Sequence, residues 1–234
     1  MKARILLFSL LLAGIFAVNS VKAEEENREV SPFSGISLRI SGNLYLTQGN
    51  KQSVRVVAKE SVLSDLITEV KGNELVIRFP NSNIFQRNFK PGKIEIYVTV
   101  PDVSALSVSG SGDIIAEKLE ARILNLSLSG SGGIKLGSLE SSKLKGSISG
   151  SGNIEVKGRK VADDLSVTIS GSGNFNATDF EADAVSVTIA GSGNCNVTSN
   201  GTIKARIAGS GSVFYSGNPS IDASTAGSGK VREM

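Results

Sequence analysis

Apolar residues recur at every second position through most of this chain. "ISLRI", "NLYLT", "SVRVVAK", "NELVIRF" and "KIEIYVTV" alternate in this way between residues 36 and 100. That period belongs to strands with one face turned in and one turned out. Beyond residue 101 the alternation is organised around a recurring Gly-Ser-Gly step. The first glycines of the step are Gly110, Gly130, Gly150, Gly171, Gly191, Gly209 and Gly227, spaced by 20, 20, 21, 20, 18 and 18 residues. A fixed period near 20 marks the coils of a solenoid. A flexible linker would keep the composition without the register.

Position by position the register predicts columns. Two residues before the first glycine stand Val108, Leu128, Ile148, Ile169, Ile189, Ile207 and Thr225. Four residues after it stand Ile114, Ile134, Ile154, Phe175, Cys195, Val213 and Val231. The positions between apolar members are Ser, Thr, Asn, Lys or Glu. At ~3.3 Å per extended residue a coil has a contour of roughly 65 Å, room for two or three short strands and their corners. Stacked coils of this kind make an all-β, right-handed parallel β-helix, the hand favoured by parallel crossovers. Both glycines of each step are expected to face inward, where the absence of a side chain lets the backbone turn tightly. The serine between them is expected to form a column of hydroxyls bonded along the stack, joined by Asn153, Asn174 and Asn194.

The pattern divides the chain into a signal peptide at 1–23, a charged linker at 24–31, an N-terminal β region at 32–101 and the β-helix at 102–234. The 32–101 region is expected to cap the solenoid, since an open end exposes unpaired backbone. Within it "KGN" at 71–73 reads as a hairpin turn and "SVLSDLIT" at 61–68 leaves room for one helical turn. "RISGNLYL" is a shortened copy of the repeat motif, with one Gly-Ser pair missing. The last two coils are shorter and lose the apolar residue held earlier by Leu119, Leu139, Val161 and Phe180. No cap is read after Val231, so that end is expected to be covered by a second copy of the chain or by a partner at the cell envelope.

Composition narrows the functions. Lys2 and Arg4 precede an apolar run from Ile5 to Val18, with small residues before Ala23, which is the form of a secretory signal. Export follows, to the periplasm or the cell exterior, with no later run long enough to span a membrane. Removing Lys2, Arg4 and Lys22 from 25 basic residues leaves 22, against 22 acidic ones. That balance, with no basic cluster, argues against nucleic acid as a partner. There is no histidine, so the commonest metal ligand and general base are missing. No cofactor or metal is expected. "AGSGKV" lacks the glycine, hydroxyl residue and helix of a phosphate loop, and "GSGDII" lacks the successive aspartates of a calcium-binding roll. Cys195 shares a column with Phe175 and Ile154 and reads as a core residue.

Taken together, "GISLRISGNLYLTQG", "ITEVKGNELVIRF", "VTVPDVSALSVSGSGDI" and the repeated S-G-S-G-N resemble the bacterial family called putative auto-transporter adhesin, head GIN domain. The resemblance runs from about residue 33 to the end. It implies a β-helical exported protein and supplies no catalytic or ligand residues. No translocator barrel is read after the repeats, so self-export by that route is not expected. The resulting expectation is an exported, non-enzymatic adhesin or cell-envelope binding and structural module, whose ligand is a glycan or a protein. The exposed aromatic candidates for binding are Phe85, Phe89 and Phe214. The alternative is a polysaccharide lyase or hydrolase, which would need charged groups converging on one outer face. The acids Glu117, Glu120, Asp163, Asp164, Asp179, Glu181 and Asp183 instead fall in the variable turns.

Overall fold

The computed structural model describes residues 23–80 and 91–234, so all but the last residue of the expected signal peptide at 1–23, and both Phe85 and Phe89, lie outside the described residues. The chain folds into a β-solenoid. Its strands are β1 (Glu24–Asn27), β2 (Gly35–Arg39), β3 (Asn43–Gln48), β4 (Ser53–Ala58), β5 (Ile67–Lys71), β6 (Glu74–Arg78), β7 (Glu95–Val100), β8 (Ala105–Gly110) and β9 (Asp113–Ala116). They continue as β10 (Leu119–Gly130), β11 (Gly133–Gly150), β12 (Asn153–Gly158), β13 (Ala162–Gly171) and β14 (Asn174–Gly191). The last are β15 (Asn194–Thr198), β16 (Thr202–Gly209), β17 (Ser212–Ser216), β18 (Ser220–Gly227) and β19 (Lys230–Glu233). One short helix, α1 (Glu60–Asp65), buries Val62 and Leu63.

Successive coils pair in parallel and in the register that the repeat dictates. On the wall before the Gly-Ser-Gly step, Leu126 lies between Leu106 and Gly146, and Val187 between Val167 and Ala205. On the wall after it, Ile114, Ile134, Ile154, Phe175, Cys195, Val213 and Val231 follow one another rung by rung. All but Val231 are buried. The third wall is short and begins with Leu119 beside Leu139.

Val161 does not join that third column; it is 51% exposed. The register shifts between Leu136 and Leu139, which places Gly158 beside Leu139 and buries Ala162. Gly158 is bare because Phe180 packs over it: a Cβ there would lie 2.6 Å from Phe180 Cδ2. Gly146 has the same relation to Phe175, whose Cε2 would lie 2.3 Å from an added Cβ. Two large rings in this part of the core are thus accommodated by two glycines.

The Gly-Ser-Gly corners differ from expectation in two respects. In every step but the last only the second glycine is buried; the first lies nearer the surface with a left-handed backbone, φ +130° at Gly150. The serine hydroxyls are exposed, and the backbone makes the bonds along the stack. Ser151 N and Gly152 N both donate to Gly130 O, at 2.9 and 3.0 Å, and the arrangement repeats in successive coils. A Cβ on Gly150 would sit 2.5 Å from that same acceptor oxygen. The asparagine column does bond through side chains: Asn174 Nδ2 donates to Asn153 Oδ1 at 2.9 Å, and Asn194 Nδ2 to Asn174 Oδ1 at 3.3 Å.

Residues 32–101 do more than cover the end. β2 and β3 form a coil that stacks directly on β8 and β9, with Ile36 beside Leu106 and Leu44 beside Ile114. The truncated "RISGNLYL" motif supplies its corner, and Asp113 N donates to Gly42 O across the join. β6 and β7 add a further coil on the opposite side of β2 and β3. Space and sequence therefore disagree: the coil made first is sandwiched between two made later. The cap proper is antiparallel, with β5 on β6 across the Gly72–Asn73 turn, β4 on β7, and β1 on β4. Residues 24–27, expected to be linker, are this outermost strand. β1 lacks apolar alternation because all four of its residues are exposed. Glu25 is held by Arg55 Nη1 at 2.7 Å.

Candidate functional site

The outward positions of the wall after the corner form a continuous column. From the N-terminal end it reads Arg55, Tyr97, Tyr45, Ile115, Lys135, Glu155, Asn176, Asn196, Phe214 and Arg232. Apolar side chains gather at its start. The Tyr45 and Tyr97 rings stack with centroids 5.2 Å apart and planes 21° apart. The Arg55 guanidinium covers the other side of Tyr97 at 4.2 Å from its centroid. Strand alternation aims these side chains outward, and the parallel pairing of β3 with β7 sets the rings side by side.

Beside the rings runs a groove of about 810 Å³, lined by Tyr45, Tyr97, Ile115 and Pro101 on its apolar side and by Thr47, Asn50, Glu117, Lys118 and Glu120 on its polar side. Gln48 locks the corner beneath it. Its Nε2 donates to Pro101 O at 2.9 Å and Glu120 O at 3.0 Å, while its Oε1 accepts from Glu120 N at 2.8 Å. Lys118 Nζ lies 2.7 Å from Glu120 Oε1. That contact holds the Glu120 carboxyl below its ordinary range and raises Lys118. Glu120 also borders a second, shallower groove with Glu140 and Lys160, which form an ion pair.

Phe214 is outward and half-buried, with the Arg232 guanidinium 5.0 Å from its ring centroid. It shares the column with the tyrosines but stands six rungs from Tyr45, roughly 29 Å at ~4.8 Å per rung. The structure therefore does not bring it to the groove. Tyr45 and Tyr97 were not singled out by the sequence. Their signal was an aromatic at an outward strand position in "NLYLT" and again in "KIEIYVT".

Besides Glu120, three of the turn acids are engaged in surface pairs. Asp164 meets Lys143 at 2.8 Å, Asp179 meets Lys157 at 3.5 Å, and Glu181 accepts from Asn200 at 2.7 Å. Among the described residues no group of three His, Cys, Asp or Glu could hold a metal ion. Cys195 is fully buried, and burial pushes its thiol far up. Among the described residues no helix is long and apolar enough to cross a membrane.

A family model described as putative auto-transporter adhesin, head GIN domain matches residues 32–219. Among solved structures, a putative adhesin from Bacteroides fragilis is 26% identical, with a TM-score of 0.85 over 92% of this chain and 98% of its own. A putative lipid binding protein from Parabacteroides distasonis is also 26% identical, with a TM-score of 0.75 over the same shares. A putative adhesin from Parabacteroides merdae, 19% identical with a TM-score of 0.69 over 92% of this chain and 97% of its own, shares the fold. Among curated protein sequences none matches this chain.

Proposed function

Since the chain belongs to the putative auto-transporter adhesin, head GIN domain family, we propose that it is an exported, non-enzymatic adhesin that holds a surface ligand against the side wall of its solenoid. The observation that carries this reading is the tyrosine ledge. Stacked Tyr45 and Tyr97 front a groove on a wall whose middle rungs carry Lys135, Glu155, Asn176 and Asn196. Rigid aromatic side chains give a large contact area at small entropic cost. The charged basic start and apolar run at residues 2–18 support export.

The test is adhesion by beads coated with the chain, measured on epithelial and bacterial surfaces, together with protease shaving of intact producing cells. Attachment that Tyr45→Ala lowers, and loss of the protein on shaving, are the expected results. Beads that attach no better than albumin-coated ones, or attachment indifferent to Tyr45, would remove the reading.

The far end offers a second docking edge, through which we propose that two copies associate. β18 is exposed at all eight positions, and Ile221 is 40% exposed. The opposite end is guarded by Glu24, Glu25 and Glu26 on β1, and such charges discourage strand addition. Tail-to-tail pairing is therefore favoured over head-to-tail growth. Light scattering should give a dimer that Ile221→Glu dissociates; a monomer at every concentration would remove the idea.

A further inference from the structure

We propose that the groove beside Tyr45 is a subsite for a neutral sugar of a surface glycan, a ligand class that rests on the adhesin reading above. A sugar ring has an apolar C–H face and a rim of hydroxyls, so its site needs an apolar plate with donors and acceptors around it. The plate is present: Tyr97, Tyr45 and Ile115 stand side by side on three neighbouring rungs. The rim has bonding capacity to spare. The Thr47 hydroxyl, the Asn50 amide and the Glu117 carboxylate line the groove, and all three residues are exposed. None of these side chains bonds another described residue, whereas the Gln48 amide is already bonded to the backbone. A carboxylate accepts from two hydroxyls at once, which suits Glu117 to a vicinal diol.

Charge selects among sugars. Among the described residues Lys118 is the one cation lining the groove, and it is committed to Glu120. Glu117 then leaves the lining negative, so uronate and sulfated sugars are repelled while neutral hexoses are not. Order is provided in advance. Arg55 is tied to Glu25 and packs on Tyr97, and Gln48 fixes the corner with three hydrogen bonds. Little freedom remains to be lost when a ligand binds. A groove of about 810 Å³ has room for more than one sugar ring.

The experiment is saturation-transfer NMR and calorimetry with manno-, galacto- and xylo-oligosaccharides as neutral probes, and oligogalacturonate as the acidic one. At least one neutral probe should bind with transfer from aromatic protons, and oligogalacturonate should not. Tyr45→Ala should weaken binding about tenfold or more, as loss of a central aromatic anchor does. Glu117→Gln, an exposed change that leaves the core untouched, should weaken the neutral probe and admit the acidic one. Lys135→Ala, one rung beyond the ledge, should change neither. Absence of binding by every neutral probe, a preference for oligogalacturonate in the unaltered chain, or affinity indifferent to both Tyr45→Ala and Glu117→Gln would overturn the proposal. The two readings separate cleanly. Tyr45-dependent bead attachment without oligosaccharide binding overturns the sugar and leaves a protein-binding adhesin. Oligosaccharide binding without bead attachment overturns the adhesin and keeps the sugar site.

Discussion

Gly146 interrupts an apolar column that holds Leu126 on one side and Val167 on the other, and its replacement by alanine isolates a single packing constraint. In a strand, Gly→Ala gains about 0.5–1 kcal/mol because the unfolded chain loses freedom. Here the new methyl would stand 2.3 Å from Phe175 Cε2, 3.0 Å from Cδ2 and 3.2 Å from Cζ. Reaching ordinary contact at 3.4 Å requires the ring to move by about an ångström. Phe175 is 1% exposed and sits between Ile154 and Cys195 in its own column. Overpacking of this kind costs about 1–3 kcal/mol. Gly146→Ala should therefore destabilise by about 1–2 kcal/mol, lowering Tm by about 2–8 °C in a chain of this size. Phe175→Leu should itself be destabilising through the space it leaves. In the Phe175→Leu background the ring is gone and the sign should reverse, so that Gly146→Ala stabilises by about 0.5–1 kcal/mol. The coupling across the double-mutant cycle is then about 2 kcal/mol. Urea unfolding followed by circular dichroism measures all four chains. A Gly146→Ala penalty that is the same in both backgrounds within ~0.5 kcal/mol would refute the pairing of this glycine with that ring.

Three further outcomes are expected. Gly150→Val should destabilise by more than about 3 kcal/mol, since it combines a left-handed backbone with a side chain set on the Gly130 carbonyl that two N–H groups share; an unchanged melting temperature would contradict the corner geometry. Cys195 should resist maleimide in the folded protein and react on unfolding, because its thiol is buried and held protonated; rapid native labelling would show an open path to it. Arg206 holds the Asp222 carboxyl below its ordinary range through hydrogen bonds at 2.8 and 3.2 Å, tying the last coil to the one before. A lowered folded-state pKa contributes stability above the unfolded value, near 3.9, that is lost as pH falls through the folded value. The protection of residues 220–227 against hydrogen exchange, taken relative to the intrinsic rate at each pH, should accordingly fall below about pH 4, and Asp222→Asn should abolish that acid dependence; identical protection profiles for the two chains would rule out the pair.

The solenoid was legible because a fixed period near 20 carries the pairing register with it. Leu126, Val187 and Cys195 stand where counting from the glycine puts them. The period could not say which atoms make the bonds, and Ser151 donates through its backbone with its hydroxyl left exposed. Val161 is apolar in sequence but lies beyond a register shift that counting misses. The tyrosine ledge was hidden for a topological reason. Tyr45 and Tyr97 are each ordinary outward strand residues, and they become neighbours because β7 stacks on β3 against the order of the chain. Phe214, visible as an outward aromatic, lies on the same wall but far from the groove.

The sandwiched first coil also sets a timetable. β2 finds its two neighbours in β6 and β8, about forty and seventy residues further along. No partial chain ending before β6 can complete either ladder, so growth of the stack from its leading end is forbidden. Long closures of this sort make assembly slow. The leading coil cannot be covered on one side until residues 74–100 are present, nor on the other until residues 105–116 are. The arrangement thus acts as a clock, keeping the leading coil open while the chain is incomplete and letting the solenoid close once most of it is present.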